Sequence, residues 1–168
     1  MTKPWMCYAG QAVAYAAFVA LLGFFATAPA YSPIAPDAAM LKLSFVHVGQ
    51  RKAECRKLGP EEIARLAPNM RQTLDCPRER LPVIVELDLD GKRLLTRELA
   101  AAGLSHDRAS SIYQKFVVAP GRHHVAVRLR DSARTEGFDY TRSAEIELKP
   151  RQNFVVDFRA EAGGFIFH

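Results

Sequence analysis

The sequence predicts a mainly β protein, an antiparallel β-sandwich preceded by a single N-terminal transmembrane helix and interrupted by one short helical, disulfide-closed insertion. Three observations predict it. No charged residue lies between Lys3 and Asp37, and that gap holds the apolar run Tyr8 to Ala28. From residue 40 onward apolar and polar residues alternate with a period of two, the pattern of strands with one buried face. Two cysteines, Cys55 and Cys76, bracket the one stretch that breaks the alternation. Composition sets the outer bounds. A chain of 168 residues holds one ordinary domain and a short appendage. With 49% hydrophobic and 24% charged residues it is neither a disordered tail nor a polytopic membrane protein. The net charge of +5 is spread over interleaved signs, without the basic stripe nucleic acid needs, so no nucleic-acid partner is expected.

Tyr8 to Ala28 as a helix would span about 31 Å, the thickness of a bilayer core. Trp5 and Tyr8 on one side and Tyr31 on the other stand where interfacial aromatics belong, and Lys3 on the N-terminal flank places that end in the cytoplasm. Residues 1–30 then form a cytoplasmic tip and membrane anchor, residues 31–39 a Pro-rich linker, and residues 40–168 a domain across the membrane. The competing reading is a cleaved signal peptide, because Ala26-Thr27-Ala28 and Ala28-Pro29-Ala30 are small-residue cleavage patterns. Against it stand an apolar run longer than the usual leader core and Pro29 beside the candidate site. Cys7 precedes the apolar run, so it is not placed for lipoprotein acylation. Ala12, Ala16, Ala20 and Gly23 make a small-residue stripe on which a second membrane helix can pack; the bland alternative is lipid-facing filler.

In the domain, Leu41, Leu43 and Phe45 alternate first. Val83, Val85, Leu87 and Leu89 then alternate with Ile84, Glu86, Asp88 and Asp90, and Asp90-Gly91 signals a type I′ turn that returns Lys92 to Glu98 beside them. A second hairpin is expected from Ile112–Val118 through Pro120-Gly121 to His123–Arg130. The last pair is Ala144–Leu148 and Phe154–Phe158 around Pro150. Seven short strands at this spacing predict a two-layer sandwich of immunoglobulin-like size. The excursion 51–80 carries Gly59-Pro60-Glu61-Glu62, a helix start with acids in its first turn, followed by Ile63 and Leu66 on one face. Across a bacterial membrane Cys55 and Cys76 are read as a structural disulfide, stabilising by about 3 kcal/mol through loop closure. Their spacing is not that of a redox or metal motif.

No chemical signature emerges. Of His47, His106, His123, His124 and His168, the adjacent strand residues His123 and His124 point to opposite faces and cannot both ligate one ion, so a metal or haem role needs distant residues to converge; Ser105-His106-Asp107 are contiguous loop residues that diverge, and no catalytic residue, metal or cofactor is assigned. Interaction surfaces are better supported. The excursion holds eight basic and five acidic side chains, among them Arg56, Lys57, Arg78 and Arg80 near the cysteines. Phe138 and Tyr140 interrupt a polar loop, and Phe165 and Phe167 close the chain as either a last strand or a docking peptide, with the strand preferred.

The stretch Phe116-Val117-Val118-Ala119-Pro120-Gly121-Arg122-His123-His124-Val125-Ala126-Val127 resembles the hairpin of PEGA-like and related surface β-sandwich modules of bacteria. The resemblance covers residues 112–158 and excludes the cysteine-bracketed excursion. It implies a noncatalytic module that presents a surface at the cell envelope, and it transfers no functional residue. The expectation is therefore a bitopic protein of a bacterial inner membrane with a periplasmic domain. It would act as an accessory or assembly subunit that binds an integral membrane protein or complex, respiratory or other, in the lipid bilayer. The alternative is a module binding a small ligand, metal or glycan through loops 99–111 and 131–141.

Overall fold

The structure, a computed structural model, describes residues 4–28 and 34–168. Lys3, Pro29, Ala30, Tyr31, Ser32 and Pro33, on which the orientation, linker and part of the cleavage-site expectations rest, lie outside the described residues. The chain divides into two compact units, Met1–Ala35 and Pro36–His168.

The first unit is a helix, α1 (Pro4–Thr27). Proline is tolerated at its first position, where the backbone donor has no intrahelical partner. At about 1.5 Å per residue it is about 36 Å long. Apolar residues surround it on all sides, which suits an apolar solvent better than packing on one core. Trp5–Thr27, with a mean hydropathy of 1.7, is long and apolar enough to cross a membrane, a property that an uncleaved anchor and a signal sequence share.

The second unit is mainly β. Its strands are β1 (Ala39–His47), β2 (Arg56–Lys57), β3 (Leu74–Asp75), β4 (Val83–Leu89), β5 (Lys92–Leu99), β6 (Ser110–Val118), β7 (Gly121–Arg130), β8 (Tyr140–Leu148), β9 (Asn153–Arg159) and β10 (Gly164–Phe167). Two four-stranded sheets, in the orders β10-β9-β1-β6 and β5-β4-β7-β8, share one core, and β2 and β3 form a separate two-stranded ladder. The alternation read from the sequence decides what is buried. Leu41 and Leu43 of β1, Val83, Val85 and Leu87 of β4, Val125, Val127 and Leu129 of β7 and Val156 of β9 all have no accessible surface. Phe158 is the hub of an aromatic cluster at one end of the core, with ring centroids 5.8 Å from Phe45, 5.0 Å from Phe165, 4.9 Å from Tyr140 and 4.7 Å from His47.

The pairing departs from the expectation in three ways. The Asp90-Gly91 hairpin forms as read, with φ of 53° and 77°, the doubly left-handed backbone a type I′ turn requires. The Pro120-Gly121 turn does not make a hairpin: β6 pairs with β1, and β7 pairs with β4 and β8, so the turn carries the chain from one sheet to the other. The Pro150 turn does the same between β8 and β9. Alternation identifies a strand and a turn residue ends it, but neither says which strand lies alongside. The sheets are also not wholly antiparallel, since β1 runs parallel to β9; the Phe165–Phe167 tail forms the last strand, β10, as the sequence reading preferred.

Following the registers from strand to strand places the connections. Tight turns at 90–91, 119–120 and 149–152 lie at the end where the chain enters β1, and Arg151 N–H donates to Ala38 O there (2.7 Å). The long connections, 48–82, 100–109 and 131–139, and the 160–163 turn all lie at the opposite end, the loop pole.

Because Phe158 touches every member of the aromatic cluster, Phe158→Ala is expected to destabilise the domain by about 3–5 kcal/mol. Chemical denaturation of the detergent-solubilised chain measures this, and a loss under about 1 kcal/mol would show that the site collapses around the deletion.

Candidate functional site

The loop pole is built around the stapled excursion. Cys55 and Cys76 are bonded, with Cα atoms 4.2 Å apart, and the disulfide closes the foot of a small unit made of β2, the helix α2 (Pro60–Arg65) and β3. Pro60 starts α2, and Glu62 caps it by accepting the Gly59 N–H at 2.9 Å. Glu62 also accepts from Arg56 at 2.9 Å, and Asp75 lies 3.8 Å from the same guanidinium. The Gly59 bond and then the Arg56 bond hold the Glu62 carboxyl below its ordinary range. No residue of α2 is buried, so the helix depends on its caps and on the disulfide.

Backbone hydrogen bonds tie the long connections together. Gln50 N–H donates to Asp131 O (2.9 Å), Leu81 N–H to Gln50 O (2.8 Å) and Arg80 N–H to His106 O (2.8 Å). Only glycine fits at position 49, because a Cβ there would lie 2.1 Å from the Leu81 carbonyl oxygen. Beneath these loops Asp131, 5% exposed, accepts from His47 Nε2 at 2.6 Å, while its Oδ1 has no partner among the described residues. The Asp131 and Ser132 amides and the Ser132 hydroxyl donate to Asp139. Burial works against ionisation of Asp139, but these bonds and Arg134 outweigh it and hold the carboxyl below its ordinary value. Burial, then the charges of Asp131 and Asp139, raises the Tyr140 phenol. This His–Asp–aromatic cluster fastens loops to the core. Gln50, Arg51, Lys52, Glu54, Arg80 and Ala133 line a shallow concavity of about 640 Å³ above it.

The residues singled out from the sequence fall into three groups. Arg56, Lys57 and Arg78 are exposed on the excursion, with Arg56 committed to Glu62 and Asp75; Arg80 is half-buried, with Nη1 on Gly49 O. Of the aromatic residues expected at a partner surface, Phe165 is corrected, being buried, while Phe138, Tyr140 and Phe167 are half-buried. Phe165 is 3% exposed within the core, Phe167 stacks on Phe154 and under Arg142, and Tyr140 packs edge-on against Phe158. Phe138 is half-buried, with the Arg128 guanidinium 5.4 Å above its ring. The local sequence does not reveal this cover, because it comes from other strands. Ala12, Ala16, Ala20 and Gly23 lie along α1, where every described side chain from Trp5 to Thr27 is exposed.

Two constellations went unseen in the sequence. On the outer face of β4, Glu86 pairs with Arg93 (2.7 Å) and Arg128 (3.2 Å), and Asp88 pairs with the same two arginines, so the acidic face is neutralised. At the end where the chain enters, His123 bridges two turns: Nδ1 donates to Asp90 Oδ2 (2.7 Å) and Nε2 to Ala119 O (2.8 Å). Both partners only accept, so the doubly protonated imidazolium satisfies both contacts. Among the described residues no group of three or more His, Cys, Asp or Glu side chains is arranged to hold a metal ion. No protein-family model, no curated protein and no solved structure matches the chain.

Reduction of Cys55–Cys76 removes about 3 kcal/mol of loop-closure stabilisation from a unit with almost no buried surface. Trypsin is therefore expected to cut after Arg56, Lys57, Arg65 or Arg71 in the reduced protein and to leave residues 83–168 intact. Equal resistance before and after reduction, read by mass spectrometry, would show that the caps and the ladder suffice.

His123 is raised above its ordinary imidazole value, chiefly by the hydrogen bond to Asp90, and Asp90 is lowered, chiefly by the bond from His123. The His123 contribution is fully present below about pH 6.5 and is lost as pH rises through its raised folded value. The Asp90 contribution is present above about pH 4 and is lost as pH falls through its lowered folded value. The melting-temperature gap between the wild type and His123→Gln should thus be widest between about pH 4 and 6.5 and should narrow above that window. A gap that does not change with pH would contradict the charged clamp.

Proposed function

We propose that the protein is a noncatalytic, membrane-anchored accessory or assembly subunit whose extracytoplasmic domain, periplasmic in a bacterium, binds another integral membrane protein through the loop pole. The observation that carries this reading is the gathering of all the long connections at the pole opposite the end where the chain enters, hydrogen-bonded to one another and to the core. Binding surfaces are commonly loops held on a rigid sheet scaffold, and a sandwich of immunoglobulin-like size offers that arrangement. Two further features agree with it. The apolar α1 suits an anchor, and a disulfide suits an oxidising compartment. The pole also offers exposed cations for an acidic partner: Lys57, Arg65, Arg71 and Arg78 take no part in the ion pairs formed on the excursion. The PEGA-like resemblance of residues 112–158 points to the same kind of noncatalytic surface module.

Mild-detergent affinity purification of the full-length tagged chain, with mass spectrometry of the intact chain and of its companions, tests this. The expected result is a mass that includes residues 1–30 together with a stoichiometric integral membrane protein, which Lys57→Glu/Arg78→Glu releases. A mass lacking residues 1–30 with no companion would make it a secreted module and refute the reading.

A further inference from the structure

The outer faces of the two sheets are finished differently. On the β5-β4-β7-β8 sheet, Glu86 and Asp88 each meet Arg93 and Arg128. On the β10-β9-β1-β6 sheet, Lys42 of β1 and Lys115 of β6 are direct cross-strand partners, and neither makes an ion pair among the described residues. Like charges directly opposite one another cost stability, so this pairing opposes folding. Both ammonium groups lie over the ring of Tyr113, at 5.8 Å and 5.2 Å from its centroid. The hydrogen bond from Lys115, then the charges of both lysines, draw the Tyr113 phenol below its ordinary value, which marks a locally positive surface.

Apolar side chains surround this pair, Val117 and Tyr113 exposed and Met40 and Val155 half-buried. Val117 is 73% exposed and Tyr113 56%, Met40 stands opposite Val117, and Val155 stands beside Lys42. The face carries one carboxylate near them, Asp157, which is taken by Arg159 at 3.1 Å. The patch also lies at the start of β1.

We propose that this face is a membrane-contact surface: Lys42 and Lys115 take the phosphates of anionic lipid headgroups, Tyr113 lies at headgroup level, and Met40, Val117 and Val155 rest against the interface. Unpaired lysines on long apolar stems, an aromatic residue and exposed aliphatic residues on one face are the chemistry that adheres to an anionic bilayer surface. The inference rests on α1 being a retained anchor, and it leaves the loop pole free for a protein partner.

The test uses the full-length chain in nanodiscs of phosphatidylcholine alone and of equal parts phosphatidylcholine and phosphatidylglycerol. A water-soluble amine-reactive ester labels the lysines, and peptide mass spectrometry reads the rate at Lys42 and Lys115, with Lys57 on the excursion as the internal control. The anionic discs are expected to slow labelling at Lys42 and Lys115 roughly fivefold, with Lys57 unchanged and the difference abolished by high salt. Tyr113 fluorescence cannot be isolated, so spin labels at position 117 (Val117→Cys with Cys7→Ser) give the second readout, a reduced accessibility to an aqueous relaxant only in anionic discs. Lys42→Gln/Lys115→Gln should lose that protection while keeping or slightly raising the melting temperature, since it removes a like-charge pair. Equal labelling in both discs overturns the proposal, as does protection by soluble polyglutamate without protection by anionic lipid, which would assign the face to an acidic protein. Failure of the chain to enter nanodiscs at all is a separate result that refutes the anchor.

Discussion

Leu41 and Leu43 have no accessible surface, and that burial is impossible without strands far along the chain. Across β1, Leu41 pairs with Phe116 of β6 on one side and Phe154 of β9 on the other. The first strand of the domain is thus an interior strand whose hydrogen-bonding groups are met by the middle and the end of the sequence. Every later element inherits this constraint. β6 must lie in the sheet of β1, so β7 must cross to the other sheet, and β9 must return from it. A fold with so much long-range pairing closes loops before its contacts reward them, and slow, cooperative formation is the physical consequence.

The same constraint sorts the connections. Because strands run up and down between two ends, a tight turn at one end obliges the next connection to be made at the other. Short turns gather where the chain enters, and 48–82, 100–109 and 131–139 gather opposite. The loop pole is therefore a product of topology more than of local composition. A few polar groups fasten it: buried Asp131 accepts from the His47 ring, and half-buried Asp139 accepts from the 131 and 132 amides, which would otherwise need solvent. The disulfide performs the corresponding task for an excursion whose helix buries nothing.

Charge on the two outer faces follows from which strands become neighbours. Glu86 faces Arg128 because β4 lies beside β7, and Lys42 faces Lys115 because β1 lies beside β6. One pairing neutralises and the other concentrates charge. A sequence in which the signs are interleaved overall can thus fold into one saturated face and one positive face.

What the sequence by itself determined was local: the apolar α1, the buried alternation of β1, β4, β7 and β9, the helix start at Gly59-Pro60, the left-handed Asp90-Gly91 turn and the bonding of Cys55 to Cys76. Each depends on side chains within a few residues of one another, or on two cysteines that had no third cysteine beyond the apolar run to compete for the pairing. What only the tertiary structure decided was every question of neighbours. The turns at Pro120 and Pro150 became crossings instead of hairpins, β1 and β9 aligned in parallel, Phe165 went inside and Phe138 under Arg128, and His123 closed onto Asp90. The periodicity of a strand reports which face is buried but is indifferent to partner and direction, because any strand of matching face and length can fill the place beside it. Partners are chosen by the packing of the whole core, and the charged surfaces of this protein are set by that choice.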